Sequence, residues 1–208
     1  MATVGRWISA ARLVLHEEGT RGVARYAVRR LYLRQSYFLY QRWLTGDERI
    51  PFPDALTHVR PATRAERNAL IHVREDFGAA SYWGTIEPDA ECYVGLDGYR
   101  IVAVHWLSTR EPNNLVECEP GDSIIGPCVT VPTHRGRGVY PAMIRAVCAE
   151  RRRLGDKRAY MVVSTDNHSS IRGIEKAGFQ NLGRADLTRV AGVRHISRCD
   201  DPEHRLAS

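Results

Sequence analysis

Apolar positions recur along this 208-residue chain at two different periods, and the changes of period divide it into elements. Over residues 5–44, Ile8, Ala11 and Leu15, then Val23, Tyr26, Ala27 and Leu31, then Tyr37, Leu39, Tyr40 and Trp43 follow helix-like spacing. Gly19 and Gly22 mark a break, so the pattern predicts a helical appendage. Thr45-Gly46-Asp47 and Pro51-Phe52-Pro53 read as a linker, because a proline biases the residue before it toward extended backbone. The division expected is an appendage with linker over residues 1–50 and a main domain over 51–208.

The main domain starts with a short strand near Leu56–Arg60 and a helix behind it. Thr63 is followed three residues later by Glu66, the spacing of a capping box, with Leu70, Ile71 and Val73 as the apolar face. Phe77–Pro88, with Tyr82 and Trp83, reads as loop or irregular helix. Cys92–Leu96 and Tyr99–Leu107 then alternate around Asp97-Gly98, which predicts a hairpin. A polar excursion, Thr109–Asp122, leads to a strand at Ser123–Val131. A helix follows, with Tyr140, Met143, Ile144, Val147 and Leu154 on one side and Gly155 as its stop. Tyr160–Ser164 is a buried strand, so strand, helix and strand form a right-handed βαβ crossover. A short helix, Ser169–Ala177, ends at Gly178. The last hairpin is Gln180–Leu187 with Val193–Cys199, turning at Ala191-Gly192. The fold class expected is α/β (α+β).

Composition adds little to this picture, and charge adds more. The apolar fraction of 43% and charged fraction of 26% are ordinary for a globular chain, which argues against wholesale disorder. The five cysteines are scattered and contain no Cys-x-x-Cys pair, so neither a disulfide framework nor a metal site is expected. No apolar run is long enough to cross a bilayer, and the expected location is cytoplasmic. Residues 1–46 hold eight arginines against two glutamates, whereas the remainder is balanced. The basic excess therefore belongs to the appendage. It suits an acidic carrier protein or a membrane surface; the alternative is a packing face for the main domain or for the second copy in a homodimer. A specific nucleic-acid partner is not expected.

The chemistry is concentrated in Val129-Thr130-Val131-Pro132-Thr133-His134-Arg135-Gly136-Arg137-Gly138-Val139-Tyr140. A β-branched run stops at a proline, a glycine-spaced basic loop follows, and a helix begins. Glycines let backbone N–H groups approach an anion, the helix start adds partial positive charge, and arginines add fixed charge. Downstream come Asn167 and then Lys176-Ala177-Gly178-Phe179. In this order the two motifs resemble those of the GNAT acyltransferase superfamily, over about residues 56–190.

The resemblance implies the GNAT fold, a mixed central sheet of about six to seven strands flanked by helices, here with the N-terminal helical appendage. It also implies an acetyl-CoA or other acyl-CoA donor. The pyrophosphate would lie on the N–H groups of Arg135, Gly136, Arg137, Gly138, Val139 and Tyr140. The pantetheine arm would run beside Val129, Thr130 and Val131, and Asn167 and Ser170 would line its other side. A backbone N–H near Cys128 to Val131 would polarise the thioester carbonyl. Two positions depart from the family pattern. Tyr140 stands where the phosphate loop usually ends in a small residue. Arg172-Gly173-Ile174-Glu175 carries no phenol, where many members place the tyrosine that protonates the leaving thiolate.

The activity expected is acyl transfer, acetyl or longer, from a CoA thioester to the amine of a small molecule by direct attack. His105, Cys128 and Glu119 are the candidates for base or nucleophile, Glu117 being an equivalent of Glu119 in the same excursion. Tyr82, Trp83 and Trp106 are candidates for an apolar acceptor wall. The alternatives are an acyl-carrier-protein donor and a non-catalytic module that binds a cofactor or partner.

Overall fold

The computed structural model describes residues 20, 32–46, 50–72, 90–110, 113, 115–190 and 193–200. Eight strands form one mixed sheet in the order β2-β3-β4-β5-β6-β1-β7-β8. They are β1 (Tyr32–Trp43), β2 (His58–Pro61), β3 (Glu91–Asp97), β4 (Arg100–Ser108), β5 (Asp122–Thr130), β6 (Arg158–Ser164), β7 (Gln180–Val190) and β8 (Val193–Asp200). Three α-helices are described: α1 (Arg64–His72), α2 (Val139–Arg153) and α3 (His168–Lys176). The chain divides into two compact units, one of residues 38–183 with 200–208 and one of residues 1–37 with 184–199.

The unit over residues 38–183 carries the expected elements. At the start of α1 the Thr63 N–H donates to the Glu66 carboxylate at 2.8 Å, and the Glu66 N–H donates to Thr63 Oγ1 at 3.2 Å. That is the reciprocal capping box read from the spacing. Arg60 clamps the same carboxylate at 2.7 Å and holds it well below the ordinary range, at about 2. β3 and β4 form the hairpin, with Asp97 opposite Arg100. Helix α2 ends where Gly155 N–H donates to Arg152 O and Asp156 N–H to Arg151 O, a capped C-terminus. Buried side chains gather in two clusters. One joins β3, β4 and the end of β5 to Leu70 and to Val139, Ala142 and Met143. The other joins Tyr40, Leu44, β6 and α3 to Ile144, Val147 and Cys148.

In the unit of residues 1–37 and 184–199, Arg184 bridges Asp186 at 2.8 Å and donates to Ser36 Oγ at 2.8 Å. Most of the N-terminal segment lies outside the described residues, but Tyr32–Trp43 is a strand and corrects the expected helix over that stretch. Leu39 and Tyr40 are both buried although they are neighbours, so the strand is covered on both faces at that point, whereas Trp43 is 55% exposed. The strand mixes polar and apolar positions without strict alternation, and its aromatics match helical spacing by coincidence. This strand also takes the sheet beyond the six to seven expected. Phe77–Pro88 and the Ala191-Gly192 turn lie outside the described residues.

Candidate active site

Strands β5 and β6 are parallel, but they pair only at Asp122–Arg158, Ser123–Ala159 and Ile124–Tyr160. Beyond Ile124 their ladder stops. The cause is visible on the other edge of β5, where pairing with β4 jumps from His105–Cys128 to Leu107–Ile125. Trp106 therefore faces the two residues Gly126 and Pro127, a bulge that bends β5. The carboxyl ends of two parallel strands thus stand apart, which is where open α/β sheets place ligands.

Along the bent half of β5 the backbone alternates. Val131 N–H donates to Val102 O at 2.9 Å, and Val131 O accepts from His134 N–H at 3.0 Å. Both backbone groups of Val131 are engaged within the protein. Alternation then turns the N–H groups of Thr130 and Cys128 away from β4, toward the gap. Of the stretch Val129–Val131, Thr130 is the residue with its N–H on that edge, and Cys128 is the next.

The loop from Pro132 to Gly138 closes one end of the gap. Its first half is a 3-10 turn, Pro132–His134, and His134 is buried with Nε2 3.1 Å from Asp97 Oδ2 at the end of β3. Arg135 Nε donates to Thr130 O at 3.0 Å, so part of this guanidinium ties the loop to β5. Gly136 and Gly138 have φ of 73° and 77°, a left-handed backbone that favours glycine. Gly138 is the N-cap of α2 and no side chain caps that helix, so its first-turn N–H groups face outward unpaired by a capping side chain. Pro141 contributes no N–H. An added Cβ at Gly136 would meet nothing within 4 Å. The open loop, the uncapped helix start and the unpaired strand edge fit a long, phosphate-bearing ligand that runs from the loop into the gap.

The other wall is the start of α3. Asn167 is its N-cap, its side-chain oxygen accepting from Ser170 N–H at 3.2 Å and from Ser169 Oγ at 3.1 Å. The carboxamide oxygen is spent on the helix, which leaves the NH2 group to donate outward.

Between these walls lies a polar cluster. His105 and Cys128 are cross-strand partners on one face of the sheet. Tyr140 sits edge-on to His105, with ring centroids 5.5 Å apart at 64°. The ring fits because residue 173 is glycine: a Cβ there would come within 2.7 Å of Tyr140 Cε1. His105 is completely buried and neither ring nitrogen has a hydrogen-bond partner among the described residues. Burial pushes its pKa from 6.5 down to about 3, so the imidazole is neutral. Burial pushes the Cys128 thiol up, so it is no nucleophile on its own. The Tyr140 phenol is also raised well above its ordinary value, chiefly by burial.

The structure thus brings His105, Cys128 and Tyr140 together, with Gly173 of α3 against the ring, and it leaves Glu119 elsewhere. Glu119 is exposed at the opposite end of β5, paired with Arg158 at 2.6 Å. Trp106 is buried in the core, on the face of β4 opposite to His105. Tyr82 and Trp83 lie outside the described residues. The Tyr140–Gly173 fit is the element that motif reading missed. Its signal was Gly173 itself, since a mid-helix glycine costs about 1 kcal/mol and calls for a packing reason. A separate cleft of about 330 Å³ lies at the far end of α2, beside Arg42, Arg152 and Arg153. Among the described residues no group of three or more His, Cys, Asp or Glu side chains could hold a metal ion, and no helix is long and apolar enough to cross a membrane.

Residues 54–179 match the model of the acetyltransferase (GNAT) family, and the chain belongs to that family. No curated protein matches it. Among solved structures it is similar to a GCN5-related N-acetyltransferase from Sphaerobacter thermophilus, with TM-score 0.53, 18% identity and coverage of 88% of this chain and 58% of that one. An acetyltransferase of the GNAT family from Colwellia psychrerythraea gives TM-score 0.52 at 11% identity, covering 76% of this chain and 56% of that one. The chain thus spans less than three fifths of the length of these two proteins. AAC(6')-Ib, in complex with parmomycin and acetyl-CoA, gives TM-score 0.51 at 16% identity over 72% of this chain and 97% of that one. At these identities the likeness is one of fold.

Proposed function

We propose that the protein transfers an acyl group, acetyl or longer, from a CoA thioester to the amine of a small molecule. The observation that carries this reading is the uncapped N-terminus of α2 at Gly138, opening onto the gap where β5 and β6 part. Family membership supports the reaction class. AAC(6')-Ib, which shares the fold, holds acetyl-CoA in its complex.

In this reading the N–H groups from Gly136 to Tyr140 bind the pyrophosphate, with the helix start and Arg137 supplying positive charge. The N–H groups of Cys128 and Thr130 lie along the thioester arm. One of them donates to the carbonyl oxygen as charge develops there, stabilising attack by a neutral amine. Asn167 donates from the opposite wall. With His105 neutral and Cys128 protonated, attack is direct and proceeds through no acyl-enzyme.

Calorimetry with CoA, followed by thiol release from acetyl-CoA across a panel of amines, tests the proposal. Saturable binding is expected, with KM between about 1 μM and 1 mM. A folded protein that takes up no CoA would sink it.

A further inference from the structure

We propose that the cleft at the far end of α2 binds a phosphorylated small molecule, at a site separate from the loop before that helix. The inference does not depend on the acyl-thioester reading, because Arg152 in the cleft lies roughly 20 Å along α2 from Gly138.

Two segments build the cleft. On α2, Cys148 and Ala149 lie one turn before Arg152 and Arg153, so two small side chains sit beside two guanidinium groups on one helix face. Opposite them, the end of β1 contributes Arg42 and the residues just after it, and Gly46 turns the chain with a φ of 72°. The hollow is set by bonds within the protein. Leu44 N–H donates to Lys157 O at 2.9 Å, and Arg42 Nη1 donates to Ala177 O at 2.6 Å. The second bond fixes the Arg42 guanidinium at the cleft and uses one of its five N–H donors. Arg153 is oriented in the same way, Nε and Nη2 donating to the Glu150 carboxylate at 2.9 and 2.7 Å.

Charge and size then select the ligand. Of the eight described residues that line the cleft, three are arginines and none is acidic. A helix C-terminus favours cations in its last turn, which accounts for Arg151, Arg152 and Arg153. It does not account for Arg42, which comes from another element and meets two of them at the hollow. Arg151 is engaged elsewhere, donating to Asp156 at 2.8 Å and to Glu91 at 2.7 Å. Guanidinium groups match phosphate oxygens with paired N–H···O bonds, and positions fixed beforehand lose little freedom on binding. The cavity, about 330 Å³, has the volume of a small-molecule pocket, larger than a bare ion requires. Leu44 and Thr45 offer an apolar wall and a hydroxyl to the uncharged part of the ligand.

The test is calorimetry on the full chain with glucose 6-phosphate as the probe. Saturable binding is expected, with a dissociation constant of about 1 mM or tighter. Arg152→Gln is expected to weaken it about tenfold or more, the loss of a charge-assisted bond to phosphate. Ala149→Leu keeps every arginine and fills the floor, and is expected to weaken it as much. It also keeps the test decisive if thermal unfolding shows Arg152→Gln to be misfolded. Arg137→Gln, on the loop before α2, is expected to leave the affinity unchanged. Wild-type protein that does not bind the probe overturns the proposal, as does full affinity in both cleft variants. Loss of binding in Arg137→Gln moves the phosphate to the loop and overturns it too. Citrate bound as tightly as the probe would overturn the phosphate assignment. A protein that binds CoA but not glucose 6-phosphate loses this inference alone, and one that binds the probe but not CoA loses only the acyl-thioester reading.

Discussion

The phosphate loop and the polar cluster beneath it lie within a few residues of one another in the chain, yet they are built on opposite principles. The loop is open and locally determined: glycines at φ of 73° and 77°, an uncapped helix start, and anchors to Asp97 and Thr130. The cluster is closed and assembled from four elements, with an imidazole that has no partner among the described residues and a phenol seated in a glycine's missing side chain. The loop offers donors to an anion, and the cluster excludes charge.

The largest test of that contrast is acid. His105 has a depressed folded-state pKa, about 3 against 6.5, so the unfolded chain binds its proton first. Stability is therefore fully present above 6.5 and is lost as pH falls toward 3. The expected slope is about 1.4 kcal/mol per pH unit through that window. Urea unfolding at stepped pH should show it, and His105→Gln should flatten it; an unchanged slope in the variant would show that the imidazole is not charge-excluding.

On the loop, Gly138→Asp puts a carboxylate and a disfavoured left-handed residue at the helix start. CoA affinity should fall by about 100-fold. Calorimetry showing native affinity would break the anion-cradle reading, while an unchanged melting temperature would localise the defect to binding.

Next in size is packing between the two helices. Gly173→Ala drives a methyl into the Tyr140 ring and should cost about 1–3 kcal/mol by chemical denaturation. Pairing it with Tyr140→Ala should recover part of that cost relative to additivity, because the two positions share one space. Strict additivity would mean the ring is not seated there.

The smallest effect lies outside both regions. Glu66→Gln loosens the capping box and the Arg60 pair, costing about 1 kcal/mol near neutrality, since the pair is partly exposed. Glu66 is depressed to about 2 from 4.5, so its contribution is present above 4.5 and fades as pH falls toward 2. CoA binding should not change, and a change would mean α1 reaches the site.

Much of this architecture was legible before any coordinates. Thr63 and Glu66 announce a helix start because capping is a contact between residues three apart. Asp97-Gly98 announces a hairpin because the turn needs only its own residues. Arg135–Tyr140 followed by Asn167 and Phe179 announces the GNAT family because each motif is contiguous. Tyr32–Trp43 misled because its buried neighbours Leu39 and Tyr40 break the alternation that identifies strands. Glu119, chosen for its chemistry, is paired with Arg158 at the wrong end of β5.

The sequence by itself determined the family, the order of helices and strands from α1 through α3, and the glycine-spaced loop after β5, since these rest on short-range spacing and backbone freedom. Tertiary structure decided where β5 leaves β6 and which strand N–H groups face the gap. It also decided that His105, Cys128, Tyr140 and Gly173 meet. Those outcomes depend on a bulge opposite Trp106 and on a hollow at Gly173, contacts between residues far apart in the chain that no local pattern encodes.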